Sequence, residues 1–352
     1  MFSPSCLECP LALYAFTCKC CVARSHVMAA TKPPTSLSRR VHSLVRRGER
    51  SPRRRLGAGD RWIGLAMTMP MLLPFLVFAA IPLVWLVWMS FTSYTTKDPA
   101  DWVGLENYRV LLADPFWWRA VRNTLYIAGV QTVVQVTLGL LLAVLVKRTI
   151  RGSNVFRTIF FLPFVTAVSV IGVIFSFLLR PHRGIINSLL VQVGAIDQAI
   201  DFLGSKDTAM MSIIVVSVWS GFGITMVLFL AGMESIPKDI YEAGEIDGAG
   251  AIAQFWYLTL PLLRPIVVVI TLLSIVSAVN IFDVVKTLTG SGPAGATQVI
   301  NTYMYSYFFS GTTNPGVFEI GYASSVAVTS SILTAIVGAI YLLAARKRNL
   351  SR

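Results

Sequence analysis

The sequence predicts an all-α membrane protein with six transmembrane helices. Of the 352 residues, 55% are hydrophobic and only 13% are charged. Six long stretches of the chain contain no charged residue. A water-soluble domain has about 25% charged residues, so these values argue against a soluble globular protein. They also exclude a disordered chain, because disordered chains are poor in hydrophobic residues.

Each uncharged stretch is predicted to be one helix across the bilayer. A helix needs about 20 apolar residues to cross the hydrocarbon core, and a helix satisfies its own backbone hydrogen bonds in lipid. One stretch, 265–282, reaches this length only if Asp283 lies near an interface or faces protein. The six stretches are 62–91, 123–146, 158–179, 208–233, 265–282 and 320–345.

Two other segments with few charges are not predicted to span the membrane. Residues 184–196 are too short and contain Asn187, Ser188 and Gln192, so we expect a surface helix or loop. Residues 287–318 are rich in Gly, Ser, Thr, Asn and Pro, which is the composition of a loop.

The basic residues of the loops predict the orientation in the membrane. With the N-terminus in the cytoplasm, the cytoplasmic segments hold 22 basic and 8 acidic residues, and the outer segments hold 8 basic and 9 acidic residues. Cytoplasmic loops normally carry the excess of Lys and Arg. We therefore expect a multi-pass protein of a bacterial-type plasma (inner) membrane with both termini in the cytoplasm, and no nucleic-acid partner is needed to explain the net charge of +13.

Residues 1–60 differ in composition from the rest of the chain. We interpret them as a basic, disordered cytoplasmic tail whose arginines contact anionic lipid, and the true start could instead be Met28. The tail also holds the five cysteines of the chain, Cys6, Cys9, Cys18, Cys20 and Cys21. Their spacing resembles a zinc site only in part, because no second Cys-x2-Cys pair is present and His26 fits no ligand pattern. No metal site is predicted.

The most informative segment is the cytoplasmic loop 234–264, between the fourth and fifth predicted spans. It holds five acidic and two basic residues, which reverses the charge expected on this face and suggests that the loop is reserved for a protein partner. Pro237 suits the first turn of a helix, and Gly248 and Gly250 are expected to end that helix in a tight turn. A second amphipathic stretch then leads to Pro261, where the chain returns to the membrane.

The run Tyr-Glu-Ala-Gly-Glu-Ile-Asp-Gly-Ala at 241–249, followed by Leu260 and Pro261, resembles the EAA loop of importer-type ABC permeases. In that family the loop forms a coupling helix that docks in a groove of the ATPase subunit. The resemblance assigns the coupling role to Glu242, Ala243, Gly244, Asp247, Gly248 and Pro261. Glu242 would meet a basic residue of the ATPase, and Gly248 would be the hinge. Gly244 replaces an alanine of the family, which implies a helix less stable by about 1 kcal/mol.

Further segments resemble the carbohydrate permeases of the maltose and glycerol-phosphate type. They are Gly104–Tyr108 with Asn123-Thr124, Leu288–Pro293 with Ala296-Thr297, and Gly321–Ser325. In the second of them, Ser291 replaces a glycine of the family. The resemblance covers about 62–345 and implies the type I ABC importer permease fold.

This resemblance implies a division of the chain into four parts. After the tail 1–60, residues 61–119 would form the first transmembrane helix and an external segment. Residues 120–345 would form the permease core with five transmembrane helices, and 346–352 a short cytoplasmic tail.

The implied function is the ATP-driven import of a sugar or related polyol. The implied partners are a second, related permease, two ATPase subunits and an extracytoplasmic solute-binding protein, in addition to the lipid bilayer. The chain has no G-x-x-x-x-G-K-[ST] motif, so we expect ATP and Mg²⁺ to bind the separate ATPase. No cofactor and no catalytic residue are expected on this chain.

The alternative function is a secondary transporter or channel for a polar solute. A proton-driven transporter needs ionisable residues inside its spans, and only Asp283 approaches that description. For the solute path the candidates are Trp219, Asn280 and Asp283. Each also has a structural explanation: bundle packing for Trp219, an interhelical hydrogen bond for Asn280, and an ion pair with Lys286 for Asp283.

Overall fold

The computed structural model describes residues 58–147, 153–310 and 318–350. The contacts divide the chain after Pro70 into two units. Of the first unit, 58–70 are described and begin a helix, whereas the second unit contains the helical bundle. The predictions for the cysteines, the basic tail and the alternative start at Met28 lie outside the described residues.

The described residues are almost entirely helical. The helices are α1 (Ala58–Phe75), α2 (Ile81–Met89), α3 (Glu106–Ala113), α4 (Pro115–Lys147), α5 (Ser153–Val165), α6 (Val168–Leu178), α7 (Ile185–Gln192), α8 (Lys206–Glu234), α9 (Lys238–Ile246), α10 (Ala251–Ala253), α11 (Leu260–Val279), α12 (Asp283–Leu288), α13 (Ile300–Phe309) and α14 (Ile320–Leu350). The π-helical segments Leu76–Ala80 and Gln254–Thr259 join α1 to α2 and α10 to α11.

Five helices of the described chain are long and apolar enough to cross a bilayer. They are Ala66–Met89, Pro115–Lys147, Lys206–Glu234, Ala251–Val279 and Ile320–Lys347. A sixth candidate is a bent pair, Asn154–Val165 and Val168–Leu178. Counted as one span, the pair completes the six that the sequence predicts.

The shape of the third predicted span, 158–179, differs from a single straight helix. Its two halves meet at an angle of 94°. Pro163 lies inside α5 and removes a backbone donor from it, and Ala167 has an extended ψ of 126°. Because a hydropathy pattern records composition and not direction, the sequence could not show this bend.

The sequence predicts a loop for the segment 287–318, but the structure places the helix α13 within it. The reason is burial: Ile300 and Tyr303 of α13 pack with Leu111 and Trp117. The Tyr303 hydroxyl donates to Asp114, and burial, together with this hydrogen bond, raises the pKa of Tyr303 well above its ordinary value.

The prediction of a surface helix or loop at 184–196 is confirmed by α7.

Two apolar clusters hold α4 and α8 side by side. The first, which we call the Ile213 cluster, includes Ile127, Ile171, Ile213, Val216 and Val285. The second, which we call the Phe229 cluster, includes Val146, Phe229, Met233, Leu263 and Ile270. Both clusters contain residues of α4 and α8. The part of these two helices that lies between the clusters is therefore less apolar and can hold polar side chains.

The motifs outside the spans have structural roles in this fold. The Asn107 amide donates to the carbonyls of Ser90 and Thr92, at 2.9 and 2.8 Å, and so fixes the segment that follows α2. The Asn123 amide donates to the carbonyls of Ala296 and Gln298, at 3.0 and 2.9 Å. Asn107 thus pairs carbonyls that are free where α2 ends, and Asn123 joins α4 to the loop that precedes α13.

A close approach between α5 and α8 yields a test of this packing. A Cβ at Gly223 would lie 2.1 Å from the Phe160 carbonyl oxygen, whereas a Cβ at Gly129 would meet nothing within 4 Å. We expect Gly223→Ala to destabilise the bundle by about 1–3 kcal/mol through overpacking, and Gly129→Ala to be neutral or stabilising through helix propensity. Thermal unfolding of the two purified variants in detergent measures the difference, and equal melting temperatures would contradict the packing described.

Candidate functional site

The loop 234–264 forms two helical segments joined by a glycine turn. Pro237 precedes α9 with an extended ψ of 137°, and Gly248 has a φ of +79°. The Ala249 amide donates to the Gly244 carbonyl at 2.8 Å, and the Gly248 amide donates to the Glu245 carbonyl at 3.0 Å. This is the Schellman arrangement, which requires a left-handed residue after the helix, and it matches the helix and turn that the sequence predicts.

One face of α9 is free of contacts with the rest of the described chain. Glu242, Ala243 and Asp247 are exposed, as is Gly248 in the turn, and Ile246 is 87% exposed. The helix therefore presents an apolar side chain surrounded by carboxylates, a surface suited to a protein partner.

The opposite face of α9 packs closely against the segment that follows it. Gly244 is buried, and a Cβ at this position would lie 2.8 Å from Leu258 Cδ1. The glycine that replaces the family's alanine therefore leaves room for Leu258. Pro261 is exposed and lies where the π-helical segment Gln254–Thr259 passes into α11, inside the continuous helix Ala251–Val279, to which proline donates no backbone hydrogen bond.

A cavity of about 370 Å³ lies between α4, α5, α6, α8, α11 and α12. We call it the polar cavity because amide, hydroxyl and carboxylate groups interrupt its otherwise apolar lining. Its polar lining includes Gln131, Gln135, Ser217, Ser274, Asn280 and Asp283. On α4, Gln131 and Gln135 lie between Ile127 of the Ile213 cluster and Val146 of the Phe229 cluster. Polar side chains inside spans normally face a bundle interior or a cavity, and this arrangement follows that rule.

Some of the polar atoms that line this cavity are paired and others are not. The Gln135 amide donates to the Gly221 carbonyl at 3.1 Å and to Thr225 Oγ1 at 3.0 Å. Gln131 Oε1 and Ser217 Oγ have no hydrogen-bond partner among the described residues, although the two residues are only 6% and 4% exposed. A buried unpaired polar atom is costly, and these two atoms belong to residues that line the cavity.

The structure brings together two of the three residues predicted for the solute path. Asn280 and Asp283 line the cavity, whereas Trp219 is absent from its lining and packs against Phe175, with ring centres 5.2 Å apart. Sequence reasoning missed Gln131 and Gln135. Their signal was available, since two amides four residues apart on one face of an otherwise apolar span are unusual.

The alternative explanations for Asn280 and Asp283 do not match the contacts. The Asn280 amide donates to the Val276 carbonyl of the preceding turn at 2.9 Å, so it does not bridge two helices. Within the described residues no ion pair involves Asp283, and Lys286 instead lies 4.6 Å from the ring centre of Tyr305. Asp283 is thus an exposed carboxylate at the cavity.

The described part of the chain offers no cluster suited to a metal ion. Among these residues no three His, Cys, Asp or Glu side chains come together. The cysteines that raised the question of zinc lie outside the described residues.

Comparisons with known proteins converge on one family. Residues 135–349 match the family model for the inner membrane component of binding-protein-dependent transport systems. The chain is 31% identical over 290 residues to the trehalose/maltose transport system permease protein MalF of Thermococcus litoralis, covering 81% of this chain and 94% of that protein. It is 34% identical over 265 residues to the probable ABC transporter permease protein YurN of Bacillus subtilis, covering 74% and 89%.

A solved structure shares the fold. The bacterial ABC transporter involved in the import of the acidic polysaccharide alginate matches with a TM-score of 0.71 and 21% identity, covering 88% of this chain and 99% of that chain. At this level of identity the likeness shows the fold alone.

The turn after α9 yields a prediction with a matched control. Gly248 has a φ of +79° with nothing within 4 Å of a Cβ, and Gly250 has the same free space without a positive φ. We expect Gly248→Val to destabilise the turn by about 1–2 kcal/mol, because a left-handed conformation is strained for a side chain with Cβ, and Gly250→Val to have a much smaller effect. Hydrogen exchange of the amides of 238–249 should accelerate by about tenfold in the first variant; equal exchange in both variants would contradict the turn.

Proposed function

This chain belongs to the family of inner membrane components of binding-protein-dependent transport systems, and we propose that it carries a sugar or related polyol inward as the permease subunit of an ATP-driven ABC importer. It is a multi-pass inner membrane protein and a transport component, not an enzyme. The family assignment decides between this function and the alternative of a secondary transporter or channel.

The polar cavity is the observation that carries the proposal of a sugar-like solute. Its lining offers amide and hydroxyl groups, with Asp283 as the one charged side chain among its described residues. Such a set pairs with the many hydroxyl groups of a sugar, which are both donors and acceptors. The names of relatives, such as the multiple sugar-binding transport system permease protein MsmF of Streptococcus mutans, support the same class of solute.

The proposed partners are those expected for a permease of this family, and the exposed surfaces support them. Ser277, Asn280 and Asp283 are exposed at the cavity, so a second, related permease would complete the path around the solute. An extracytoplasmic solute-binding protein would deliver the solute, and the N- and C-termini would lie in the cytoplasm. Two ATPase subunits would bind ATP and Mg²⁺, and this chain would bind no cofactor of its own.

The exposed face of α9 would be the docking site for one ATPase. Glu242 would pair with a basic residue there, and Ala243 and Asp247 would contribute to the same contact. Gly248 would act as the hinge of the segment, and Pro261 would connect it to α11. Gly244, on the buried face, would keep α9 close to Leu258.

Reversal of the charge at Glu242 tests the docking role. We expect Glu242→Lys to reduce ATP-driven uptake at least about tenfold, since breaking a charge pair at an interface costs about 2–5 kcal/mol. Uptake into proteoliposomes that contain the reconstituted complex measures the effect. The control is Asp197→Lys, the same charge change at an exposed residue of the α7–α8 connection, and full uptake in Glu242→Lys would disprove the role.

Replacement of Asp283 tests the solute path. We expect Asp283→Ala to raise the KM of uptake about tenfold, because a hydrogen bond to a charged group contributes about 1.5–3 kcal/mol. The assay uses the labelled sugar or polyol that the cognate binding protein retains from a small panel. Trp219→Phe, outside the cavity, should leave the KM unchanged, and a wild-type KM in Asp283→Ala would remove Asp283 from the path.

A further inference from the structure

Lys147, the last residue of α4, contacts both the end of α8 and the helix α9. Lys147 Nζ donates to the Met233 carbonyl at the end of α8 and to Tyr241 Oη of α9, both at 3.3 Å. The same ammonium lies 4.5 Å from the centre of the Tyr241 ring. The Tyr241 hydroxyl is 3.2 Å from Thr259 Oγ1, so one tyrosine joins α9 to α4 and to the π-helical segment before α11.

The partners of Lys147 make this contact sensitive to the position of α9. No ion pair between described residues involves Lys147, even though Glu245 lines the same pocket. The ammonium is held by neutral oxygens and by the face of a ring. A cation–π contact depends on the position of the ring relative to the cation, so a rotation or shift of α9 changes it directly.

The surroundings of the contact leave α9 room to move. A pocket of about 610 Å³, lined in part by Lys147, Tyr241 and Trp256, opens beside it. The adjoining segment Gln254–Thr259 is π-helical, a geometry found often at functional sites.

The helix α4 reaches from this contact to the polar cavity. It is continuous from Pro115 to Lys147, and Gln131 lies about 24 Å from Lys147 along its axis. A rigid helix is a means by which displacement at one end reaches the other. The covalent connections of α9 run to α8 through residues 235–237 and to α11 through α10, so α9 meets α4 directly only through non-covalent contacts such as those of Lys147.

We propose that Lys147 and Tyr241 form the link that transmits movement of α9 to α4, and through α4 to Gln131 and Gln135 at the solute cavity. This proposal rests on the proposed function, because it assumes that an ATPase moves α9. Lys147 and Tyr241 are positioning residues in it, and neither contacts the solute.

Two reporter cysteines separate the link from the covalent route. In a background in which the five native cysteines are Ser, Gln131→Cys reports on α4 and Ser277→Cys reports on α11. The purified complex with its ATPase is treated with a membrane-impermeant methanethiosulfonate, with and without trapping of the ATPase by ATP and vanadate. The ATP-dependent change in thiol reactivity is then compared in chains with Lys147, Lys147→Met, Lys147→Arg or Tyr241→Phe.

The proposal predicts a selective loss of the response at one reporter. Lys147→Met should reduce the ATP-dependent change at Gln131→Cys about fivefold or more, the usual lower size of coupling between sites, and leave the change at Ser277→Cys intact. Lys147→Arg should keep the ATP-dependent change at Gln131→Cys, because a guanidinium can also bind the Tyr241 ring and the oxygens. Tyr241→Phe, which keeps the ring and loses both hydroxyl contacts, should give an intermediate loss.

Other outcomes overturn the proposal. If Lys147→Met leaves the response at Gln131→Cys unchanged, Lys147 has no role in transmission, as would hold for a lysine that only contacts lipid. If Lys147→Met abolishes both responses and the co-purification of the ATPase, its role is in assembly. If the chain with Lys147 intact neither retains an ATPase nor responds to ATP, the proposed function itself fails.

Discussion

The constraint on which the structure depends is that a polar side chain in the hydrocarbon region needs a partner or a cavity. Gln131 and Gln135 lie in the middle of α4, between the two apolar clusters. The amide of Gln135 is satisfied by the Gly221 carbonyl and the Thr225 hydroxyl of α8. The alignment of α4 with α8 is therefore determined by hydrogen bonds as well as by packing, whereas Gln131 Oε1 has no hydrogen-bond partner among the described residues.

The segment 234–264 has two different faces: in the proposed function it would bind an ATPase on one face and stay attached to the spans on the other. Its exposed face carries Glu242, Ala243 and Asp247. Its buried face is held by the Gly244–Leu258 approach and by the Tyr241 contacts to Lys147 and Thr259. A helix held by a few polar contacts beside an open pocket can move as a unit, whereas one embedded in an apolar core could not.

The sequence predicted the parts of the fold that depend on composition and on local backbone chemistry. The spans follow from long uncharged stretches, and the turn at Gly248 follows from the left-handed conformation that glycine adopts most readily. The bend after Pro163 and the helix α13 were missed, because they depend on direction and on burial against Leu111 and Trp117.

The same distinction applies to the candidate site. The exposed face of α9 could be placed from the motif alone. The polar cavity could not, because six helices between α4 and α12 contribute to its lining. Trp219 is a candidate by its residue type alone, and its side chain packs against Phe175. Gln131 and Gln135, by contrast, lie on the face of α4 that meets α8.

The proposed contact of α9 with an ATPase subunit in the cytoplasm is the one on which the transport function of this membrane component depends. The most direct test is photo-crosslinking in intact cells from a benzophenone amino acid at Ala243, an exposed residue of α9. The same amino acid at Leu105, which is 69% exposed in the predicted outer segment, is the control. We expect an adduct of the ATP-hydrolysing subunit at Ala243 and none at Leu105. An adduct of an extracytoplasmic protein at Ala243, or no ATPase adduct there in a chain that still reaches the membrane, would contradict it.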